Sequence, residues 1–293
     1  MLTEQATCRP SVADAYAFCR RIALGHAENF TVVSWLLPRR LRPHMYAVYA
    51  YCRGVDDLGD EGEGDRAALL DEWERELRAC YDGEPSDIRF VALQDTVRRF
   101  EIPPEPFLRL IEANRRDQTV TRYGTFAELL EYCSYSANPV GELVLWLFGY
   151  SDKRRRQLSD ATCTALQLAN IWQDVSRDLD NGRIYIPQED MERFGYSELE
   201  LRAREYNRGF RRLMRFQVKR TRQYFQEGLA LLPLVSGRLR YDLKLFSLGG
   251  LAVLDAIERA RYDVLTSRPE VGRLRKAALA MRGLLPVPIG ASR

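Results

Sequence analysis

Apolar residues recur along the chain at intervals of three and four, interrupted by short polar stretches that carry Gly or Pro. Leu41, Met45, Val48, Cys52 and Val55 form one such series, and the period is that of a helix with one buried face. The same pattern predicts helices over about 66–81, 87–100, 105–118, 153–179, 197–230, 239–266 and 270–283. Ser11, followed by Asp14, is a capping start for a helix through Ala27. A further helix runs from Thr125 to Phe148 with a kink at Asn138-Pro139. The separators are the Gly-rich patch from Gly59 to Gly64, Gly83-Glu84-Pro85, Ile102-Pro103-Pro104, and a loop holding Asn181-Gly182-Arg183 and Pro187. No period-two alternation bounded by hairpin turns appears, and no fixed-period repeat. Nor does any linker rich in Pro, Gly or Ser split the chain. The pattern therefore predicts an all-α, single-domain bundle over 1–293, a class whose interior commonly hosts ligand sites on facing helices.

Two of these helices carry polar stripes that ordinary amphipathicity does not require. Gln167, Asn170, Asp174 and Asp178 lie within about 80° of one another on a helical projection. Leu166, Leu168, Ile171, Trp172 and Val175 take most of the remaining surface. A plain solvated face is broader and mixes in Lys and Glu. A narrow stripe of amides and carboxylates instead faces a cation or a polar cavity, since an unpartnered buried carboxylate is costly. The second stripe is Tyr49, Arg53, Asp56 and Asp60, spaced i, i+4, i+7, i+11, with Asp57 and Glu61 beside it. Carboxylates without His or Cys select a hard cation such as Mg²⁺. Mg²⁺ dehydrates reluctantly and bridges one or two carboxylates to substrate phosphates, so two clusters of this kind imply a polyanionic substrate. The residues from Asp56 to Glu61 lack the order of an EF-hand loop.

Composition narrows the field. The chain has 293 residues, 46% of them hydrophobic, and a net charge of +3 from 44 basic and 41 acidic residues, so no global charge points to a polyanionic partner. Two histidines, His26 and His44, and six cysteines without a CxxC pair make a zinc site of the usual spacing improbable. The N-terminus lacks the basic-then-apolar order of a signal peptide, and the scattered cysteines suit a reducing, cytoplasmic setting. No apolar run approaches the roughly 20 residues that span a bilayer. From Leu201 to Arg222 there are nine basic residues and one acidic residue, Glu205. That stretch reads as a solvated cationic helix face. The alternative is attraction to anionic lipid headgroups, which amounts to peripheral contact with the inner membrane. Nucleic-acid binding is not expected, because no recognition motif accompanies the charge. The apolar tail from Gly283 to Ile289 docks either on a membrane or on the protein's own core.

Three segments carry a resemblance. They are Tyr49-Ala50-Tyr51-Cys52-Arg53-Gly54-Val55-Asp56-Asp57-Leu58-Gly59-Asp60-Glu61, the stretch from Gln167 to Asp178, and Gly182-Arg183-Ile184-Tyr185-Ile186-Pro187. Tyr132-Cys133 followed by Pro139-Val140-Gly141 fits between them. With these the chain resembles the squalene/phytoene synthase family over about Tyr16 to Arg268. These are head-to-head isoprenoid synthases, helical bundles around a central hydrophobic cavity. The resemblance implies that Asp56, Asp60, Asp174 and Asp178, completed by Asn170, ligate the Mg²⁺ that holds and ionises an allylic diphosphate. It implies diphosphate contacts for Arg53, Arg183 and Tyr185, and diphosphate-side or cation-side roles for Tyr49 and Tyr132. Gln167 belongs with the substrate-binding set. His26 and Phe30 match a segment lining the first pocket. Arg268 falls one residue out of register with a late diphosphate-binding arginine, and Asp117 occupies a family acidic position. Tyr135, Trp146, Phe148 and Trp172 either line the cavity or simply pack the core.

Departures from the family pattern suggest a branch. Ala27-Glu28-Asn29-Phe30 stands where many members have Ser-x-Ser-Phe, and Ser136-Ala137-Asn138 replaces Val-Ala-Gly. Gln173 stands for an Arg and Arg177 for a Glu beside the second motif. These features look like the bacterial hopanoid-pathway HpnC branch, which ionises presqualene diphosphate and traps the cation with water to give hydroxysqualene. Asn29 is then a candidate for positioning that water. The alternatives are a transferase condensing two farnesyl diphosphates to presqualene diphosphate or squalene, a phytoene-type synthase, and a non-catalytic relative. Any of the enzymes implies partner enzymes upstream and downstream in the pathway.

Overall fold

In the computed structural model, the structure describes residues 10–25, 37–60, 62, 64–272, 275 and 278–279. Every named element is helical, as the periodicity predicts; the β-type pairing among the described residues is an isolated parallel bridge between Arg122 and Ile184. The chain divides into two compact units, Met1–Gln118 with Glu142–Ser151, and Thr119–Gly141 with Asp152–Arg293.

The first unit holds α1 (Val12–Gly25), α2 (Arg42–Asp60), α3 (Arg66–Asp82), α4 (Ile88–Phe100) and α5 (Glu105–Asp117). Local signals set their ends. Asp65 accepts from the amides of Ala67 and Ala68 to start α3, and Asp87 from that of Arg89 to start α4. Glu101 turns left-handed, φ 51°, to stop α4. The core centres on Tyr51 of α2. Its ring meets Phe107 edge-on at 4.9 Å and lies 5.6 Å from Trp73, while its hydroxyl donates to the Phe107 carbonyl at 2.9 Å. A buried phenol with its polar tip satisfied adds packing without an orphaned group.

The second unit holds α6 (Phe126–Ser136), the start of α7 (Asn138–Leu147), α8 (Lys153–Asp180), α9 (Gln188–Arg193), α10 (Glu198–Arg202), α11 (Arg208–Leu229), a 3₁₀ turn at Leu232–Leu234 and α12 (Gly237–Arg259). Its core packs α11 and α12 against α8 through Leu168, Trp172, Phe210, Leu213, Phe225 and Leu254. The Trp172 indole donates to Thr221 Oγ1 at 2.8 Å, which assigns this ring to the core.

Four boundaries differ from the periodic reading. The helix expected from 125 to 148 is two, divided at Ala137, two residues before Pro139, which has no N–H to give the carbonyl four residues back and whose ring crowds that carbonyl. The stretch 197–230 divides at Arg204, whose φ is 54°; Ser197 and Glu200 form a capping box for α10, and Asn207 caps α11. The helix expected to reach 266 ends at Arg259, because Arg261 and Tyr262 are both left-handed. The loop after Pro187 contains α9, for which Pro187 serves as N-cap. The helix expected over 270–283 lies largely outside the described residues.

Candidate active site

In the first unit, α2 presents the Tyr49 stripe as its period requires. Asp56 is exposed, and Tyr49, Arg53 and Asp57 are half-buried. Burial pushes the Tyr49 phenol up, against the opposing pull of Arg53. Arg53 reaches Asp57 at 2.5 Å, an i,i+4 pair, so this guanidinium is already turned to a carboxylate of its own helix. Asp60 ends the helix; its side chain, like His26, Asn29 and Phe30, lies outside the described residues. Asn114 is a residue that sequence reasoning missed. Its amide donates to the Leu110 carbonyl at 3.0 Å and reaches Asp56 Oδ1 at 3.5 Å. Gly59 permits this approach, because a Cβ there would lie 2.0 Å from Asn114 Oδ1. Gln118 then ties the Gly59 carbonyl to α5 at 3.0 Å. The end of the acidic helix is held from the side by two amides.

In the second unit, α8 shows the predicted division. Leu168, Ile171, Trp172 and Val175 are buried, whereas Gln167, Asp174 and Asp178 are half-buried and Asn170 is exposed. The stripe is the helix's open face. Gln173, off the stripe, is buried, and it organises the neighbourhood. Its amide nitrogen donates to the Pro269 carbonyl at 2.5 Å, and its oxygen accepts from Arg268 at 2.9 Å. Arg268 in turn forks onto Asp174, with Nε on Oδ1 at 2.5 Å and Nη2 on Oδ2 at 3.0 Å. That hydrogen bond holds the guanidinium above its usual range. Arg177 approaches the same carboxylate at 3.6 Å. Arg268, out of register in the family comparison, thus meets the second acidic motif in space.

The chain leaving α8 brings three predicted residues to one small cleft, whose lining includes Val175, Asp178, Arg183 and Tyr185. The Arg183 amide donates to the Asp178 carbonyl at 2.8 Å, and the Ile184 amide to that of Thr121 at 3.0 Å. Arg122 fixes the turn by donating to the Gly182 carbonyl at 2.9 Å. Tyr185 stacks on Tyr123 at 5.5 Å and 19°, and Tyr132 lies 5.6 Å from both rings. Two members of this buried trio were singled out from the sequence; Tyr123 was not, because only the bridge at Ile184 places it there. Gly141, from the Pro-Val-Gly segment, lets α7 begin against α8: a Cβ would lie 2.4 Å from Ser159 Oγ and 2.5 Å from Cys163 Sγ.

Among the described residues no three His, Cys, Asp or Glu side chains converge on one point. Mg²⁺ does not need that, since one or two carboxylates and the substrate's phosphates suffice. The carboxylates of Asp56, Asp174 and Asp178 and the amides of Gln167 and Asn170 offer oxygen donors of the kind Mg²⁺ takes, and both oxygens of Asp174 already take a cation in Arg268. The residues fit the metal.

A family profile described as squalene/phytoene synthase matches residues 23–275. The chain belongs to the squalene/phytoene synthase family. Members of this family are enzymes that act on prenyl diphosphates. The chain is similar to 15-cis-phytoene synthase of Synechococcus elongatus, 34% identical over 280 residues that cover 91% of each protein. It is 32% identical to the chloroplastic phytoene synthase 1 of Zea mays, covering 97% of this chain and 70% of that one. Among solved structures it resembles the squalene synthase HpnC from Alicyclobacillus acidocaldarius, 53% identical with a TM-score of 0.84 over 86% of this chain and 96% of that one. A dehydrosqualene synthase structure gives 28% identity and a TM-score of 0.85 over 93% of this chain and 96% of that one. The family match runs across both compact units.

Proposed function

We propose that this synthase, acting as one catalytic domain, ionises presqualene diphosphate and traps the rearranged cation with water, releasing hydroxysqualene and diphosphate. The observation that carries this reading is the 53% identity to HpnC, well above the 34% to a phytoene synthase. Gln173, seated between Arg268 and Pro269, supports it, since the family's usual Arg at that position has no acceptor to offer Arg268.

Asp56, Asp60, Asp174 and Asp178, with Asn170, are the Mg²⁺ ligands of this proposal. Bound there, Mg²⁺ supplies Lewis-acid stabilisation of the charge that gathers on diphosphate as the C–O bond breaks. The protein's own groups do the rest. Arg53 and Arg183 bind phosphate oxygens, for which the guanidinium fork is suited, and Tyr185 adds a hydroxyl. Gln167 orients the substrate from the same stripe. Tyr49 and Tyr132 present their phenol rings to the leaving group or to the cation, whose charge an aromatic face tolerates. His26 and Phe30 belong to the substrate pocket, and Asn29 holds the water. The C–O electron pair leaves with diphosphate, the cyclopropane opens, water oxygen bonds to the resulting carbon and a proton is lost. No reductant enters this balance.

A second reading, condensation of two prenyl diphosphates, is favoured by the similarity to proteins named phytoene and squalene synthases. Purified protein is incubated with Mg²⁺ and, separately, with presqualene, farnesyl and geranylgeranyl diphosphates, and the products are chromatographed. Hydroxysqualene from presqualene diphosphate alone supports the proposal. Inert presqualene diphosphate beside consumed farnesyl or geranylgeranyl diphosphate assigns the second reading. No diphosphate release from any of them overturns both readings.

A further inference from the structure

The basic stretch noted in the sequence separates in the structure into two groups. Arg202, Arg204, Arg220 and Arg222 are bound to carboxylates of Glu198, Asp180, Asp190 and Asp255. Arg208, Arg211, Arg212, Arg215 and Lys219 are exposed, and none has a carboxylate within salt-bridge distance among the described residues. All five stand on α11, within about 100° of arc on its solvent side, opposite buried Phe210, Leu213, Met214 and Phe225. No Asp or Glu occurs between Glu205 and Glu227. Arg193 of α9 extends the patch, because its guanidinium and that of Arg212 each lie 5.7 Å from the Phe194 ring centre. Arg215 leans over Tyr262 at 5.7 Å. The result is a straight cationic ridge from Arg208 to Lys219, about 16 Å long at the helical rise.

We propose that this ridge is a docking surface for an anionic lipid bilayer. The argument is charge complementarity together with geometry. A solvated face serving solubility mixes both signs, whereas this one carries a single sign over three turns of helix. A straight row of cations matches a plane of headgroup charge, and each Lys or Arg near such a surface strengthens binding about fivefold. The aromatic rings described beside the ridge, Phe194 and Tyr262, are half-buried under its arginines rather than open for bases to stack on. The inference rests on family membership only in this respect: substrates with long prenyl chains partition into membranes, and a docked enzyme draws them from there. It does not depend on which reaction follows.

The test is co-sedimentation of the full chain with vesicles of phosphatidylcholine plus phosphatidylglycerol, against phosphatidylcholine alone. It is repeated with the variant carrying Arg208→Gln, Arg211→Gln, Arg215→Gln and Lys219→Gln. Gln keeps helix propensity, and none of the four residues lies in the proposed active site; circular dichroism and urea unfolding confirm the fold. The expected result is binding to anionic vesicles only, released at about 0.5 M salt. The quadruple variant should bind on the order of 100-fold or more weakly while turning over detergent-dispersed substrate as the wild type does. Equal binding to both vesicle types, no binding to either, or unchanged binding by the variant overturns the proposal. So does single-stranded RNA that displaces the protein from anionic vesicles at equal charge, which would assign the ridge to nucleic acid.

Discussion

Replacing Arg268 with Met tests the contact that ties the C-terminal segment to the second acidic motif. Met keeps the length and the apolar stem but removes two hydrogen bonds to Asp174, at 2.5 and 3.0 Å, and one to Gln173 at 2.9 Å. The side chains of Arg268 and Asp174 are 28% and 23% exposed, so the pair is neither a surface ion pair nor a dry one. A hydrogen bond to a charged group contributes about 1.5–3 kcal/mol net, and partial exposure puts this pair toward the low end, about 2 kcal/mol. Urea unfolding in chelator should show that loss as a lower midpoint at unchanged slope. Asp174→Asn should cost a similar amount, and the double variant less than the sum, with a coupling of about 1 kcal/mol or more. Adding Mg²⁺ with inorganic diphosphate should shrink the cost of Arg268→Met, because Asp174 then gains another cation. A loss below about 0.5 kcal/mol, or strict additivity, refutes the idea that Asp174 holds this segment.

Three further outcomes follow from the geometry. Asp174→Asn should remain folded, with its secondary structure intact by circular dichroism, yet lose Mg²⁺-dependent diphosphate release; an active variant removes Asp174 from the ligand set. Thr221→Val keeps shape but orphans the buried indole N–H of Trp172, and should cost about 1–3 kcal/mol in denaturant unfolding. Burial pushes the Asp242 carboxyl up to about 6 despite the Arg238 guanidinium beside it at 2.7 Å. The folded form therefore binds this proton more tightly than the unfolded chain does. The stability it contributes is complete below about pH 4 and is lost as pH rises through about 6. Asp242→Asn should thus match the wild type near pH 4 and exceed it by up to about 3 kcal/mol at neutral pH, read from unfolding midpoints across that range.

Much of the fold was legible because helical amphipathicity is local. The stripe from Gln167 to Asp178 and its apolar complement follow from 100° per residue, and the structure buries Leu168, Ile171, Trp172 and Val175 as that geometry requires. The errors fell at helix ends, where Arg204, Arg261 and Tyr262 leave the ladder in left-handed conformations that no composition signal announced. Such conformations are imposed by what the following segment packs against. Gln173 shows the same limit within the site. Its type departed from the family pattern and so drew notice, but its partners are 95 and 96 residues away.

The sequence by itself determined the helical class, the two carboxylate stripes and the family, because each depends on residue types at fixed short spacings. Tertiary structure alone decided what those stripes touch: Asn114 against Asp56, Arg268 on Asp174, and Tyr123 completing the ring trio with Tyr132 and Tyr185. It also decided which cations of the basic stretch are paired and which stand open on α11. A side chain's spacing states which face of a helix it occupies. Which distant segment covers that face depends on packing summed over the whole unit, and a local pattern does not contain it.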